Sequence, residues 1–226
     1  MRRACSSPAA TPPGCCGPAH WWRPAAARCR SAPSGWTPPG AIELKRYPSV
    51  RRAEISSDSG EMSGGGGFWP LFRHIQRHNI EMTAPVEMDY RGLADAGAKS
   101  GWVTGSTMSF LYRTPELRET GTDPRDTRVV IRDTEPVTVV ALGVRGIGVD
   151  AASTRPHFAT LEGWLRDNPQ WVKAGEYRVF GYNGPDTRRS RRWVEVQIPV
   201  RPAAGAPAEV PAAERPPAPS EANAAR

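Results

Sequence analysis

Ile42-Glu-Leu-Lys-Arg-Tyr-Pro-Ser-Val-Arg-Arg-Ala-Glu-Ile55 and Val130-Ile-Arg-Asp-Thr-Glu-Pro-Val-Thr-Val-Val-Ala-Leu142 have the same shape. Each sets two short strand-like runs with β-branched residues on either side of a proline, Pro48 in the first and Pro136 in the second. A loop and a helical pattern follow each. In the first, Phe68, Leu71, Phe72 and Ile75 share one face at 3.6-residue spacing; Pro70 fits the first turn, and Asn79 can close the helix in a left-handed conformation. The second helix is expected from Thr154 to Asn168, with Ser153 or Thr154 as N-cap and Pro156 in the first turn. Phe158, Leu161, Trp164 and Leu165 give it an apolar face, and Asn168-Pro169 stops it. Two strands are expected after each helix: about 80–90 and Thr107–Arg113, then Tyr177–Tyr182 and Trp193–Val200. Arg91–Ser106 and Thr114–Arg128 read as loops. One β-α-β-β unit is thus used twice, offset by roughly 90 residues. The expected fold is α+β: a pseudo-twofold domain with one curved or barrel-like antiparallel sheet and two helices packed on it.

The ends of the chain differ from its middle. Residues 1–40 carry Arg2, Arg3, Arg23, Arg28 and Arg30 among many Pro, Ala and Ser, with no acidic residue; residues 201–226 are mostly Ala, Pro and Glu. Neither end can offset its chain entropy by apolar burial, so both read as disordered tails around one domain at residues 41–200. Of the net charge of +7, five belong to residues 1–40 and none to residues 201–226, where three Arg face three Glu. The domain keeps +2, too little for a basic nucleic-acid footprint, so nucleic acid is not an expected partner. All four cysteines (Cys5, Cys15, Cys16, Cys29) lie in the N-terminal tail, which leaves the domain without disulfides or cysteine metal ligands. No run approaches the roughly 20 apolar residues of a membrane span, and no secretory signal is visible. The expected location is cytoplasmic, with organelle targeting through the Arg-rich, acid-free N-terminus as the alternative.

Chemistry concentrates in Phe68-Trp-Pro-Leu-Phe-Arg-His-Ile-Gln-Arg-His-Asn-Ile-Glu-Met-Thr-Ala-Pro-Val86, entered through the glycine run Gly64–Gly67. His74 and His78 lie one turn apart on the flank of the apolar face. Imidazoles beside apolar residues suit a flat, metal-bearing ligand. The same i, i+4 spacing suits two ligands of one small metal ion, although the sequence shows no third nearby. Trp69 lies off the Phe68/Phe72 stripe, where it can cover a planar ligand. Arg188-Arg189-Ser190-Arg191-Arg192 places four guanidiniums within five positions, suited to carboxylates. No nucleophile-elbow serine, catalytic cysteine or paired metal-binding carboxylates are visible, and the glycine run lacks the Lys-Ser/Thr of a phosphate loop. The protein is therefore not expected to be an enzyme.

Several of these segments resemble the SOUL/haem-binding protein family. They are Leu-Phe-Arg-His-Ile (71–75), Ile-Glu-Met-Thr-Ala-Pro-Val (80–86), Met-Ser-Phe (108–110), Gly-Tyr-Asn (181–183) and Arg-Arg-Trp-Val-Glu-Val (191–196). The likeness runs over nearly all of residues 41–200. It implies a distorted antiparallel β-barrel with two helices in pseudo-symmetric halves and non-covalent binding of haem or another tetrapyrrole, for buffering, delivery or sensing. The implied site lies between the first helix and the loop before the last strand. Carried over, it comprises Trp69, Phe72, His74 and His78, with Tyr182, Arg188, Arg191 and Arg192 from the loop. His74 is the implied ligand to haem iron, or the iron takes no protein ligand, and the arginines meet the propionates. Trp-Val-Glu-Val-Gln-Ile-Pro-Val (193–200) also resembles the effector-binding domains of gyrase-inhibitor-like proteins and multidrug-responsive regulators. That likeness implies the alternative of a module for cationic aromatic small molecules, with Glu195 as counter-charge.

Overall fold

The computed structural model describes residues 36–62, 65–93, 103–184 and 186–205. The first half comprises β1 (Ile42–Tyr47), β2 (Arg51–Ser57), α1 (Phe68–Arg77), β3 (Val86–Arg91) and β4 (Gly105–Leu111). A two-residue strand, β5 (Gly121–Thr122), precedes the second half. That half comprises β6 (Val130–Asp133), β7 (Val137–Arg145), α2 (Ala151–Asp167), β8 (Trp171–Lys173), β9 (Tyr177–Gly181) and β10 (Trp193–Pro202). The strands form one antiparallel sheet in the order β1-β7-β10-β9-β3-β4-β2-β6-β5, with β8 paired to the far end of β10.

The order exposes the duplication. β2-β4-β3 and β7-β10-β9 are equivalent triplets that meet where β3 pairs with β9. Each half gives its first strand to the other: β1 lies on β7, and β6 lies on β2. The two ladders share one register, with Ile42 opposite Leu142, Tyr47 opposite Val137 and Arg51 opposite Asp133. Between them, Val50 N donates to Thr134 Oγ1 (3.0 Å) and Thr134 N to Val50 O (2.9 Å). Pro48 and Pro136, which have no N–H to donate, occupy the gap where no ladder bond is required. The α+β fold with one antiparallel sheet and two helices is as expected; the sheet curls but does not close on itself, its order ending at β1 and β5.

Both helices pack on one face. Leu71 and Ile75 of α1 join Ala53, Ile55, Phe110 and Ile131, whereas Phe158 and Leu161 of α2 join Val140, Tyr177, Val196 and Ile198. Met108 touches both clusters. The other face lines the inside of the curl and is buried too, but polar: Lys45, Glu54, Glu87, Ser109, Glu195 and Gln197 are all enclosed.

Several boundaries move from their expected places. α2 starts at Ala151, and its N-cap is Asp150, whose carboxylate accepts from Ser153 N (2.9 Å); Pro156 therefore stands inside the helix, beyond its first turn. Residues 80–85 are not strand; they include the cis Ala84–Pro85 bond, and pairing starts at Val86. The Thr114–Arg128 loop holds β5 and a short 3₁₀ turn at Pro115–Leu117. Asn79 closes α1 with φ of 52°, as its position implied. Residues 36–40, read with the tail, pack against the domain, and β10 continues to Pro202. The tail assignments for residues 1–35 and 206–226, and those for Gly64 and Trp102, lie outside the described residues. Among the described residues no helix is long and apolar enough to cross a membrane.

Candidate functional site

α1 presents a different chemistry on each side. Trp69 turns outward, while Phe68 and Phe72 are half-buried against the cluster of Leu71, Ile75 and Phe110: Phe68 and Phe72 stack at 5.7 Å, and Trp69 meets them edge-on at 5.3 and 6.0 Å. Trp69 is 54% exposed, an unusual state for the largest apolar side chain. Gly65 makes room for it, since a Cβ there would lie 2.7 Å from Trp69 Cδ1. Met62 and Met108 border the same end of the helix. Glu61, just before α1, accepts from the first amide of α2, Ala151 N (3.0 Å), so the approach to one helix is tied to the start of the other.

The arginine loop lies beside that start. Arg189 donates to Ser153 Oγ (2.7 Å), and Gly146 N donates to Arg192 O (2.9 Å). Arg188 and Arg191 are exposed, while Arg192 is half-buried and donates through Nε to Thr187 O.

His74 faces the other way. Residues 72 and 74 are two apart, so at 3.6 residues per turn they occupy opposite flanks of the helix. The His74 ring is fully enclosed: Nδ1 lies 2.5 Å from Asp123 Oδ2, and Nε2 lies 2.7 Å from the Tyr112 hydroxyl. Burial lowers the His74 pKa despite the Asp123 hydrogen bond, so the ring is neutral, with Nδ1–H donating to Asp123 and Tyr112 O–H donating to Nε2. Both nitrogens are thus engaged, and neither offers a lone pair toward the Trp69 and Phe72 face. Burial alone would raise the Asp123 pKa. Hydrogen bonds from His74, the Arg125 amide and Arg77 (2.7 Å) outweigh it and hold the carboxyl well below the usual range. His78, half-buried, has its Nε2 3.8 Å from the same carboxylate.

Tyr182 and Glu195 belong to the inner face of the curl. Alternation along β10 sends Val194, Val196 and Ile198 toward α2 and Glu195 and Gln197 inward. Glu195 Oε1 accepts from Lys45 Nζ (3.0 Å) and Thr37 N (2.7 Å), and Oε2 accepts from Gln197 Nε2 (3.0 Å). The ring of Tyr182 packs on Trp36 at 5.3 Å, and Trp36 packs on Trp193 at 5.4 Å. Residues 36–40 form a strap over this chamber. Gly143 admits it, since a Cβ at that position would come within 2.1 Å of Thr37 O. Deeper in, Arg178 and Arg52 each bind Glu87 (2.9 and 3.0 Å), and Arg52 also binds Glu54 (2.8 Å). The structure therefore brings Trp69 and Phe72 together, sets Arg189 by the start of α2, and turns His74 away from the aromatic pair; Tyr182, whose amide donates to Trp193 O (3.1 Å), sits at the base of the arginine loop. Sequence reasoning missed Asp123, Tyr112, Lys45 and the Trp36–Thr37 strap.

A curled antiparallel sheet with two helices on one face is an architecture shared with several solved structures. The C-terminal domain of EcmrR superposes with a TM-score of 0.52 at 15% identity, over 72% of this chain and 98% of that one. EcmrR in its DNA complex gives 0.55 at 15% identity over 72% of this chain, which spans 58% of that protein's length. A hydrolase from Listeria innocua gives 0.52 at 10% identity, over 73% and 94% of the two chains. At such identities the likeness is one of fold alone. No curated protein sequence matches. The family model described as SOUL heme-binding protein matches residues 36–199. The chain belongs to the SOUL haem-binding protein family.

Proposed function

We propose that this domain binds haem or a related tetrapyrrole non-covalently, without catalysis, and serves to buffer, deliver or sense it. The observation that carries the reading is Trp69 of α1, which stands exposed beside the half-buried Phe68 and Phe72. These residues, with Met62 and Met108, fit a planar apolar macrocycle, which would recover the burial that Trp69 lacks. Arg188, Arg191 and Arg192 supply cations for two propionates. His74 does not fit the part of iron ligand from this face, so the iron takes no imidazole from it. The binding unit is read as residues 41–200, lengthened to 36–202 by the strap and by β10.

Haemin titration of the full chain, followed by absorbance, tests this. A saturable one-to-one Soret shift is expected, weakened at least about tenfold in Trp69→Ala/Phe72→Ala by loss of stacking and burial. The band shape should be unchanged in His74→Ala. A shift no larger than that given by an unrelated basic protein would overturn the reading.

One observation favours a second reading, an effector module for cationic aromatic molecules: Glu195 is fully buried among Trp36, Tyr47, Phe180, Tyr182 and Trp193. Its charge is already met by Lys45, so an incoming cation would have to displace that ammonium and the strap. Failure of the haemin titration, together with affinity for organic cations that Glu195→Gln abolishes, would select this reading.

A further inference from the structure

On the flank of α1 turned away from the aromatic face, three metal-ligating side chains converge. His74 Nδ1 lies 2.5 Å from Asp123 Oδ2, His78 Nε2 lies 3.8 Å from the same oxygen, and the three donor atoms all fall within 4.8 Å of one another. His78 Nε2 is buried without a hydrogen-bond partner, a state that folded proteins ordinarily avoid. We propose that His74, His78 and Asp123 form a site for one divalent transition-metal ion of the zinc type.

The helix supplies two imidazoles one turn apart, and the loop before β6 folds back to add the carboxylate missing from the local sequence. Ligand bonds of about 2.0–2.2 Å set neighbouring donors of a tetrahedral centre roughly 3.3 Å apart. The 2.5 Å contact must therefore open by about 0.8 Å and the 3.8 Å one close by about 0.5 Å, while a donor pair at the 4.8 Å limit closes by about 1.5 Å, all within reach of side-chain rotation. Two nitrogens and one oxygen, with no sulfur, suit zinc and its neighbours better than magnesium or calcium.

Tyr112 already holds the far nitrogen of His74, the outer contact that orients a metal-bound imidazole. On loading, the His74 proton passes from Nδ1 to Nε2, and Nε2–H then donates to the Tyr112 oxygen. No net proton leaves, because both imidazoles are neutral beforehand: burial holds them so, with Arg118 adding to the effect. A competitor already occupies the carboxylate. Arg77 holds Asp123 Oδ2 at 2.7 Å, and Arg118 and Arg125 stand close by, so the ion must displace one guanidinium in a positive setting.

The test uses the full chain, stripped with a chelator and alkylated at its thiols, because Cys5, Cys15, Cys16 and Cys29 would otherwise take up zinc. Zinc(II) is titrated against a chromophoric chelator, and cobalt(II) is followed by its visible absorption. One ion per chain is expected, with a tetrahedral cobalt spectrum. His78→Ala, which breaks no hydrogen bond, should weaken binding by at least about tenfold while leaving the thermal melt in place. Arg77→Ala should tighten it several-fold, a direction that a purely structural clamp does not produce. Trp69→Ala should leave it unchanged, which separates this site from the tetrapyrrole face. Absence of stoichiometric uptake, or equal uptake by parent and His78→Ala, would overturn the proposal.

Discussion

Asp123 shows how much one side chain can organise. It is fully buried, bound by His74 and Arg77 from α1 and by the Arg125 amide of its own turn, and it fastens the loop before β6 onto the helix. Asp123→Asn removes the charge that the partly exposed Arg77 answers and should cost about 1.5 kcal/mol in urea unfolding, as for a hydrogen bond to a charged group. Its pKa is depressed in the folded chain, so its stabilisation is complete above the ordinary carboxylate range and is lost as pH falls through and below it. Nothing in the sequence announced this role. His74 and Asp123 stand 49 positions apart, and Thr-Asp-Pro reads as a turn wherever it occurs. The helical spacing of His74 and His78 was legible, but a third ligand from a distant loop is a property of the fold.

At the scale of elements, periodicity served well and boundaries less so. The aromatic stripe of α1 and its left-handed stop at Asn79 followed from local rules. The start of α2 did not, because Ser153 and Pro156 together imitate a cap and a first turn while Asp150 does the capping. Asp150 accepts from Ser153 N and from Ser153 Oγ (2.8 Å). Asp150→Ala should therefore cost about 1 kcal/mol of stability in thermal or urea melts, with Ser153→Ala costing less. In β10 Val194, Val196 and Ile198 alternate with Glu195 and Gln197, a pattern that ordinarily suits one buried and one wet face. The curl encloses both, and no strand pattern carries that information, because it depends on the paths of the other strands.

For the whole molecule, the polar interior sets the response to pH. Burial first, and then the neighbouring Glu87, push Asp89 up to about 7. The folded chain thus keeps a proton that the unfolded chain releases near pH 4, so this group makes stability fall as pH rises from about 4 to 7. His74, His78 and His157 are shifted down by burial and act oppositely: their contribution is present above about 6.5 and is lost as pH falls. The opposing slopes offset one another in part between pH 5 and 7. Asp89→Asn should unmask a rise in stability toward neutrality, measurable as urea midpoints across that range.

The exchange of first strands between the halves reaches further than the fold diagram. Ile42 must meet Leu142 before β1 has a partner, and β2 waits for both β4 and β6. Contacts this distant in sequence slow the search for the native state. A nascent chain that has not yet supplied Val130 and the residues after it carries two unpaired edges, so the protein is born late, its first half relying on the second to cover it during synthesis.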